Sequence, residues 1–478
     1  MEIGNAILET ASRRQFIRRG GLSLGSIALA LLLHRDTYGA SRRQPSLLAR
    51  RPDYAPKARR VIYLHMIGAP SQLDLFDHKP ELRRWHGKAC PASLLKGRRF
   101  AMIDGGKMSL IASPYAFTRY GQSGAEISEL LPHMRSVADD VAIVKTLHTD
   151  EINHAPAQMM LHSGFGRGGR PSFGSWVSYG LGTRNQNIPA FVSLLTGNMG
   201  GAGTSLWSNG FLPGIYQGIR LRSQGDAVLF LSNPKGQTSA DRRRIFDAVK
   251  ELNQFSLADI GDTEIATRIS QYEMAYRMQT SVPELMDIAK EPKSILDLYG
   301  AKPGQATFAN NCLLARRLVE RGVRVVELYD SGWDHHRQLL TRLPKKCLEV
   351  DQGMAALVRD LKQRGMLDDT LVIWGSEFGR TPLRQGGTSD GGKNVGRDHH
   401  KDAFTMWLAG GGIRGGQTYG ETSELGFDPA DKPVHVHDLN ATLLHLLGID
   451  HEQLTFKYQG RDFRLTDVHG AVVQGLLG

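Results

Sequence analysis

The sequence predicts an α/β protein whose central sheet is mainly parallel and covered by helices on both faces. Two helix-then-strand repeats predict this class. Helical apolar spacing runs from Ala306 to Arg321, and a strand follows from Val323 to Tyr329. The pattern returns as a helix from Cys347 to Arg364 and a buried strand from Thr370 to Trp374. Strands joined through helices pair in parallel and are buried on both faces.

The remaining elements fit the same class. An apolar run from Arg60 to Met66 predicts a first buried strand, and a Gly-Ala-Pro-Ser turn follows it at residues 68–71. A further strand is predicted from Phe404 to Ala409. Asp438 is predicted to be the N-cap of a final helix that ends at Leu447. Residues 385–396 are rich in Gly, Ser, Asp and Asn, which predicts a mobile loop.

The first forty residues predict a twin-arginine targeting segment. Arg13 and Arg14 precede an apolar run from Leu22 to Leu33 that is too short for a comfortable membrane span. The alternative is an amphipathic helix that begins the domain. Cleavage after Ala40 and retention as an anchor both stay open. We therefore expect export to the periplasm or cell envelope, with membrane contact only through an uncleaved segment.

The rest of the chain is expected to be one domain. Residues 41–57 are basic and contain three prolines, which predicts a linker, and residues 58–478 are ample for a single large core. The net charge of +11 favours anionic partners. Basic residues are dispersed and not gathered in a stripe with aromatics, so no nucleic-acid partner is expected. The three cysteines, Cys90, Cys312 and Cys347, lack metal-binding spacing. At most one disulfide is expected.

Carboxylates and imidazoles follow several of the predicted strands. In open α/β sheets ligands bind beyond the carboxyl ends of the strands, so these loops are the first place to look for chemistry. They span residues 330–336, 375–380 and 397–400. Asp and His together suit a divalent metal, and the lack of thiolates argues against a closed structural zinc site. The metal could be zinc, manganese, iron or calcium.

Spacing separates neighbouring side chains within these loops. In an extended loop Asp334 and His336 would point the same way, whereas His335 would point oppositely. The same geometry would pair Asp398 with His400 and not with His399, but the local sequence does not decide between these two histidines.

Two other loops carry candidate groups. Glu377 is a candidate metal ligand or general base, and its alternative is an ion pair with Arg380. A second cluster lies near the start of a predicted helix at Ala155: His148, Asp150, Glu151, His154 and His162. His154 and His162 are two helical turns apart and share a face, but for His162 a structural role is the favoured interpretation.

The motifs resemble those of the bacterial DUF1501 proteins, whose activity is not established. They are GWDHH at 332–336, SEFGRT at 376–381, GRDHH at 396–400 with GGG at 410–412, GAPSQLD at 68–74, FDHKP at 76–80 and NHAPAQ at 153–158. That family in turn resembles the alkaline phosphatase and sulfatase superfamily. The resemblance implies an alkaline-phosphatase-like fold and one metal site made by Asp334, His336 and His399.

The other half of the superfamily pattern is missing. The superfamily has an Asp after the first strand, a hydroxyl or modified Cys nucleophile at the next helix, and Asp-His after a later strand. This chain has Ser71 or Asp74, then Asn153 and His154, then Glu377 and Phe378. Phenylalanine cannot bind a metal, and a covalent intermediate of the usual kind is not expected. Ser71 or Thr149 could substitute as the nucleophile.

Three functions follow from these residues. The leading hypothesis is a metal-dependent hydrolase of sulfate or phosphate esters, acting on an anionic small molecule or polysaccharide. His154 and Glu377 would move protons, and Arg380 or Arg397 would hold the anion. The second is a binding or assembly protein of the same fold that has lost catalysis, and the third is redox chemistry at a single iron or manganese.

Overall fold

The structure is a computed structural model, and it describes residues 46–103, 108–225, 227, 238–260, 263–386 and 394–478. The predicted targeting segment and residues 387–393 of the predicted loop lie outside the described residues. The chain divides into two compact units. The larger comprises Pro45–Leu454 and Arg464–Gly478, and the smaller includes residues 455–463.

Nine strands of the described residues form the central sheet. The strands of the chain are β1 Arg60–Ile67, β2 Phe117–Tyr120, β3 Ala125–Ser128, β4 Val141–His148, β5 Phe191–Thr196, β6 Ile219–Arg220, β7 Val325–Ser331, β8 Thr370–Gly375, β9 Gly379–Arg380, β10 His399–His400, β11 Phe404–Ala409, β12 Gln417–Tyr419, β13 Val434–His435, β14 Phe456–Tyr458 and β15 Arg461–Phe463. The sheet order is β12-β4-β11-β8-β1-β7-β5-β6, with β13 also paired to β4. Only β11 runs antiparallel to its neighbours within this sheet.

The helices connect and cover these strands. They are α1 Gln72–Leu75, α2 Glu81–Trp85, α3 Ala92–Leu95, α4 His154–Ser163, α5 Phe173–Leu181, α6 Ser239–Ile260, α7 Thr263–Met286, α8 Lys293–Tyr299, α9 Phe308–Glu320, α10 Leu339–Gln363 and α11 Val436–Leu446. Among the described residues, none of the helices combines the length and apolarity that crossing a membrane requires. In the smaller unit, β14 and β15 form an antiparallel hairpin.

Alternate residues of β1 face two different layers of helices. Ile62, Leu64 and Met66 belong to the apolar core that contains the buried faces of α9 and α10. Tyr63 and His65 face the opposite side, where the ring of His162 in α4 packs against both of their rings. Successive side chains of a strand point to opposite faces. Helices therefore lie on both sides of a mainly parallel sheet, which confirms the predicted fold class.

Two helices differ from their predicted bounds. The helix α10 begins at Leu339, well before Cys347, because buried Leu343 extends its apolar face towards the N-terminus. The prediction that Asp438 is the N-cap of α11 is wrong. The N-cap is His435, and the Asp438 carboxylate, three residues later, accepts a hydrogen bond from the His435 backbone and closes a capping box.

The described part of the predicted linker is bonded to the larger unit. The backbone of Arg50 donates to the carbonyl of Leu181, and Lys57 donates to the carbonyl of Leu446. Residues 46–57 contain no helix, and their one strand contact is an isolated bridge at Leu48. The two ends of the predicted mobile loop, Gln385 and Gly396, exchange backbone hydrogen bonds.

Candidate metal centre

The candidate site lies at the carboxyl ends of the central parallel strands. Asp334 follows β7, and Glu377 follows β8. His154 begins α4, the helix that follows β4 in the chain. His399 precedes β11, which runs antiparallel to β4 and β8, so it reaches the same edge from the other direction. The topology therefore brings these four residues together from distant parts of the sequence.

Two glycines allow the loops of this edge to approach one another. Gly68 has a φ of +110°, and a Cβ atom there would lie 2.5 Å from the backbone nitrogen of Asp334. A Cβ atom on Gly396 would lie 2.1 Å from the backbone carbonyl of His336. Such contacts are impossible for any other residue without moving the backbone. The close approach of the three loops therefore depends on these glycines.

Four side chains converge on one point beside these loops: His154, Asp334, His336 and His399. One ligand atom from each lies within 4.8 Å of all the others. Oδ1 of Asp334 is 3.3 Å from Nε2 of His154 and 3.0 Å from Nε2 of His336. It is 3.6 Å from Nε2 of His399. A tetrahedral ion with bonds of about 2.0–2.1 Å holds its ligand atoms about 3.3 Å apart, so this spacing fits a divalent metal.

The three histidines all present the same nitrogen to this point. Each Nδ1 has an oxygen acceptor outside the group: Oε1 of Glu377 at 2.6 Å for His154, Oε1 of Gln385 at 2.6 Å for His336, and the carbonyl of Ile152 at 2.8 Å for His399. A histidine that donates through Nδ1 keeps the lone pair of Nε2 free. Outer acceptors of this kind orient metal-binding imidazoles, and the donor set therefore has the chemistry of a metal site.

Phe378 supports two of the rings. Its ring stacks on that of His154 at 5.0 Å and lies 4.6 Å from that of His399. Nε2 of His154 is buried, and Oδ1 of Asp334 faces it at 3.3 Å. The Asp334 side chain is 45% exposed, so solvent reaches the group from that side.

Glu377 stands behind the group and is not a member of it. Its carboxylate is fully buried, and Oε1 also accepts from the backbone of Gly68 and from Gln158. Oε2 accepts from Ser376 and lies 3.2 Å from Nε2 of His65. The geometry thus gives Glu377 the place of an outer partner of His154 and not that of a ligand.

Arg380 is buried beneath Asp334. It donates to Oδ1 of Asp334 at 2.6 Å, and its other hydrogen bonds go to the backbone carbonyls of Gly68, Ala69 and Arg397. The guanidinium therefore orients the Asp334 carboxylate. The alternative considered for Glu377, an ion pair with Arg380, is not formed; the partner of Arg380 is Asp334.

The prediction that Arg397 could hold a substrate anion is wrong. Arg397 is fully buried, and both carboxylate oxygens of Asp74 accept from it. The carbonyls of Ile111 and Thr381 accept its remaining hydrogen bonds. A guanidinium with these partners has no fork left for a ligand.

One histidine of each adjacent pair belongs to the group and the other does not. His336 and His399 join the group, whereas His335 is buried with both ring nitrogens unpaired and His400 packs edge-on to Phe427. The extended-loop rule thus gave the right partner for Asp334 but favoured the wrong histidine after Asp398. The reason is that His399 and His400 lie in the short strand β10, whose pairing with β9 sets their directions. His162 is fully buried, as a structural role requires.

Charge in the group is set by the two carboxylates. Burial alone would lower the pKa of His154, but its hydrogen bonds to Asp334 and Glu377 raise it to about 9. Burial opposes ionisation of Asp334, yet the three histidines and Arg380 hold its pKa far below the usual range. Burial raises the pKa of Glu377, but His154 and His65 hold it well below its usual range. Both carboxylates are therefore anions at neutral pH, which favours binding of a cation.

Sequence reasoning gave His154 a catalytic role and missed it as a fourth candidate ligand. Its only local signal was the Asn153-His154 pair before a helix, and its partners lie more than 170 residues away in the chain. The suggested nucleophile Ser71 is buried, and its hydroxyl donates to Asp74. Asp74 is thus an interior partner of Ser71 and Arg397.

Comparison with solved structures finds distant likenesses. The chain is 11% identical to the protein Ps i-CgsB, solved in complex with k-i-k-neocarrahexaose; the match covers 82% of this chain and 72% of that one at a TM-score of 0.36. Alkaline phosphatase from the Antarctic bacterium TAB5 is 11% identical over 82% of this chain and 99% of its own, at a TM-score of 0.34. An alkaline phosphatase superfamily protein from Vibrio parahaemolyticus is 9% identical over 92% and 83%, at a TM-score of 0.36. At such scores no residue or reaction transfers.

Comparison of the sequence with known proteins and protein families gives a family match. No curated protein matches the chain. The family model described as "Protein of unknown function (DUF1501)" matches residues 58–477. This range includes every motif on which the resemblance rests and all four residues of the group. The chain therefore belongs to the DUF1501 family.

Proposed function

We propose that this protein is an exported hydrolase of anionic esters that uses a single divalent metal ion held by His154, Asp334, His336 and His399. The observation that carries the proposal is the convergence of three Nε2 atoms and one carboxylate oxygen on a point that solvent reaches. Each imidazole is already oriented by an acceptor on its other nitrogen. Such a prearranged donor set costs little reorganisation when an ion binds.

A divalent ion in this position supplies Lewis-acid chemistry, polarising an ester oxygen and lowering the pKa of a water molecule. The protein residues have separate tasks. Asp334 presents one oxygen to the group and is held in place from below by Arg380. Glu377 keeps the Nδ1 proton of His154 away from the reacting side. His154 is thereby a ligand in this proposal and not a proton shuttle.

Attack by water is favoured over a covalent intermediate. The hydroxyl of Ser71 is committed to Asp74 in the interior. The described residues include one group that could hold a metal ion. Activation of a hydroxyl nucleophile would ordinarily use a second ion. The net charge of +11 favours an anionic substrate. Sulfate and phosphate esters are the substrates expected from the resemblance of the motifs to the alkaline phosphatase and sulfatase superfamily.

The donor set also restricts the metal. Three imidazoles and one carboxylate suit zinc, manganese or iron, whereas calcium prefers oxygen ligands throughout. A six-coordinate ion such as manganese or iron(II) would keep two positions for water and an ester oxygen beside these four ligands. We therefore propose manganese or iron(II) for the hydrolase.

The test uses the purified protein loaded in turn with Zn²⁺, Mn²⁺ and Fe²⁺, assayed on aryl sulfates and aryl phosphates. The double variant Asp334→Ala, His336→Ala should lose both metal and turnover. His335→Leu is the matched control. His335 lies between Asp334 and His336 in the sequence, but its ring nitrogens have no hydrogen-bond partner. This variant should keep both. Turnover that survives in the double variant would refute the assignment.

One observation favours a second candidate. Four protein ligands complete a tetrahedron, which is the arrangement of structural zinc sites. The protein would then be an exported binding or assembly protein stabilised by its metal. Protein that holds zinc tightly, loses thermal stability on chelation and turns over no ester with any of the three metals would establish this alternative over the hydrolase.

Export is proposed from residues 13–33, where two arginines precede an apolar run. The change Arg13→Lys with Arg14→Lys should keep the protein in the cytoplasmic fraction of a bacterial host, as measured by fractionation and immunoblotting. Unchanged periplasmic recovery of this variant would contradict the twin-arginine route.

A further inference from the structure

A polar network lies inside the sheet behind the candidate metal centre. It consists of His65 in β1, Glu327 and Tyr329 in β7, and His162 in α4, and all four side chains are fully buried. Apolar residues of the same size would be cheaper at such positions, because burying ionisable groups costs free energy that their pairing seldom fully returns. The network therefore calls for an explanation beyond packing.

The network connects to the metal centre through Glu377. Nε2 of His65 lies 3.2 Å from Oε2 of Glu377, and Nδ1 of His65 lies 3.2 Å from Nε2 of His162. Nδ1 of His162 is 3.6 Å from Oε1 of Glu327, whose other oxygen accepts from the Tyr329 hydroxyl. The sequence of contacts is thus Tyr329, Glu327, His162, His65, Glu377 and finally His154.

Hydrogen-bond directions along this path are fixed by the carboxylate of Glu377. Nε2 of His65 lies 3.2 Å from Oε2 of Glu377 without the geometry of a hydrogen bond. Because an ionised carboxylate can only accept, the favoured tautomer of His65 has its proton on Nε2, facing that oxygen. Burial lowers the pKa of His65 and keeps its ring neutral, so Nδ1 of His65 is an acceptor and His162 donates to it. The series of hydrogen bonds ends at His162, because its Nδ1 and Oε1 of Glu327 lie 3.6 Å apart and form no hydrogen bond.

We propose that His65 and His162 are positioning residues that hold the Glu377 carboxylate in the orientation from which it fixes the Nδ1 proton and the ring of His154. The inference rests on the metal site proposed above, and not on hydrolysis. Glu377 accepts hydrogen bonds on Oε2 from Ser376 and on Oε1 from Gly68 and Gln158, and the ring of His65 lies against Oε2 at 3.2 Å. Loss of the His65 donor frees one side of the carboxylate and lets His154 turn.

Tyr63 provides a matched control within the same strand. It is as deeply buried as His65, and its ring packs 5.1 Å from that of His162. Its hydroxyl has no hydrogen-bond partner, so Tyr63→Phe alters the same layer without touching the path. A purely structural role for the layer would make the two changes similar in effect.

The experiment measures Co²⁺ binding by competition and the visible absorption spectrum of the Co²⁺ protein, together with the melting temperature. His65→Leu should weaken Co²⁺ binding several-fold, less than the roughly tenfold cost of losing a direct partner of a metal ligand, and should shift the spectrum. His65→Gln, whose amide can still donate, should restore most of both. Tyr63→Phe should leave affinity and spectrum unchanged.

Two results would overturn the proposal. One is a folded His65→Leu protein with the affinity and spectrum of the unaltered protein, and the other is a Tyr63→Phe protein that loses as much affinity. If His65→Leu does not fold, His162→Leu replaces it, with a several-fold loss of Co²⁺ affinity expected and no loss counting against the proposal. An unaltered protein that binds Co²⁺ but hydrolyses no ester refutes only the hydrolase; one that binds no Co²⁺ refutes the site and this inference together.

Discussion

Two histidine-rich regions of this protein look alike in the sequence and differ in geometry. The first is the candidate metal centre formed by His154, Asp334, His336 and His399, called the metal centre below. The second, here called the C-terminal histidine group, consists of His148, His435, His437 and His469, whose ring centroids follow one another at 5.1, 4.9 and 5.2 Å. It also has a carboxylate, because Oδ2 of Asp150 lies 3.3 Å from Nε2 of His435.

The difference is in what the ring nitrogens do. In the C-terminal histidine group, Nδ1 of His435 accepts a hydrogen bond from the backbone of His437 as the N-cap of α11. The proton of that ring is therefore on Nε2, where it faces Asp150 and blocks a metal. In the metal centre all three Nδ1 atoms face acceptors, and all three Nε2 atoms converge. Convergence with oriented tautomers, and not the number of histidines, distinguishes a candidate site.

The electrostatics differ in the same direction. Burial and the neighbouring rings of His435 and His469 together lower the pKa of His437 to about 4. In the metal centre burial is outweighed by two carboxylates, and the pKa of His154 is raised to about 9. His437 is therefore neutral at neutral pH, whereas His154 in the metal-free centre carries a proton.

The largest effect is expected from removing ligands in one region and their counterparts in the other. Asp334→Ala with His336→Ala should reduce Zn²⁺ affinity by more than the roughly 100-fold that loss of an outer partner costs. Asp150→Ala with His469→Ala should leave the affinity unchanged. Competition with a chromogenic chelator measures both, and equal losses in the two variants would remove the distinction between the regions.

A smaller loss is expected from Glu377→Gln, which keeps an acceptor for His154 but removes the negative charge. Zn²⁺ affinity should fall by about tenfold, in the range found for outer carboxylate partners of metal-binding histidines. The pKa of His154 should fall as well, because Glu377 helps to raise it. NMR titration of the metal-free protein measures the second effect; a His154 pKa that stays near 9 would contradict the proposed pairing.

Metal affinity should rise with pH in the centre. Below about pH 9 the metal-free protein carries a proton on His154 that an incoming ion must displace. The apparent affinity should therefore increase about tenfold per pH unit from pH 7 to 9 and then level off. A flat profile over this range in calorimetric titrations would show that His154 is not a ligand.

The same proton affects folding of the metal-free protein. The folded pKa of His154 lies above its unfolded value of about 6.5, so its contribution to stability is complete below that pH and is lost as the pH rises to about 9. Denaturant unfolding of the chelated protein should therefore show decreasing stability across this window. His154→Asn should flatten the decrease.

The smallest effect concerns the C-terminal histidine group. His435→Ala removes the N-cap of α11 and should lower the free energy of unfolding by about 1 kcal/mol. Metal affinity should not change, since the ring nitrogens of His435 contact Asp150 and the backbone of His437, which are not members of the metal centre. Chemical denaturation and chelator competition on the same preparation measure the two outcomes, and metal loss in this variant would assign the group a role at the centre.

The fold was largely predictable because its signals are local. Apolar runs and the glycines that end helices give β1, β7, β8, β11 and α9 to within two residues at each end. The start of α11 was misjudged because a histidine is an unusual N-cap, whereas Asp at position 438 imitates the common one. Local rules thus predict an element correctly where the residue that usually takes a position, such as Asp at an N-cap, also takes it in this protein.

The site was predictable only in part because its members meet through topology. Asp334 and His336 share one loop, so alternation along the backbone was enough to pair them. His154 joins from a different strand end, and Glu377 is turned inwards by contacts with Ser376 and His65 that spacing cannot reveal. The burial of Arg397 against Asp74 likewise depends on residues more than 300 positions apart in the chain.

The most direct test of the account is the metal content of protein purified without chelators and reloaded with Zn²⁺, Mn²⁺ or Fe²⁺, measured by elemental analysis. We predict about one ion per chain in the unaltered protein and in His435→Ala, and almost none in Asp334→Ala with His336→Ala. An unaltered protein that retains no ion, or a double variant that retains as much as the unaltered protein, would contradict the assignment of His154, Asp334, His336 and His399 as a metal centre.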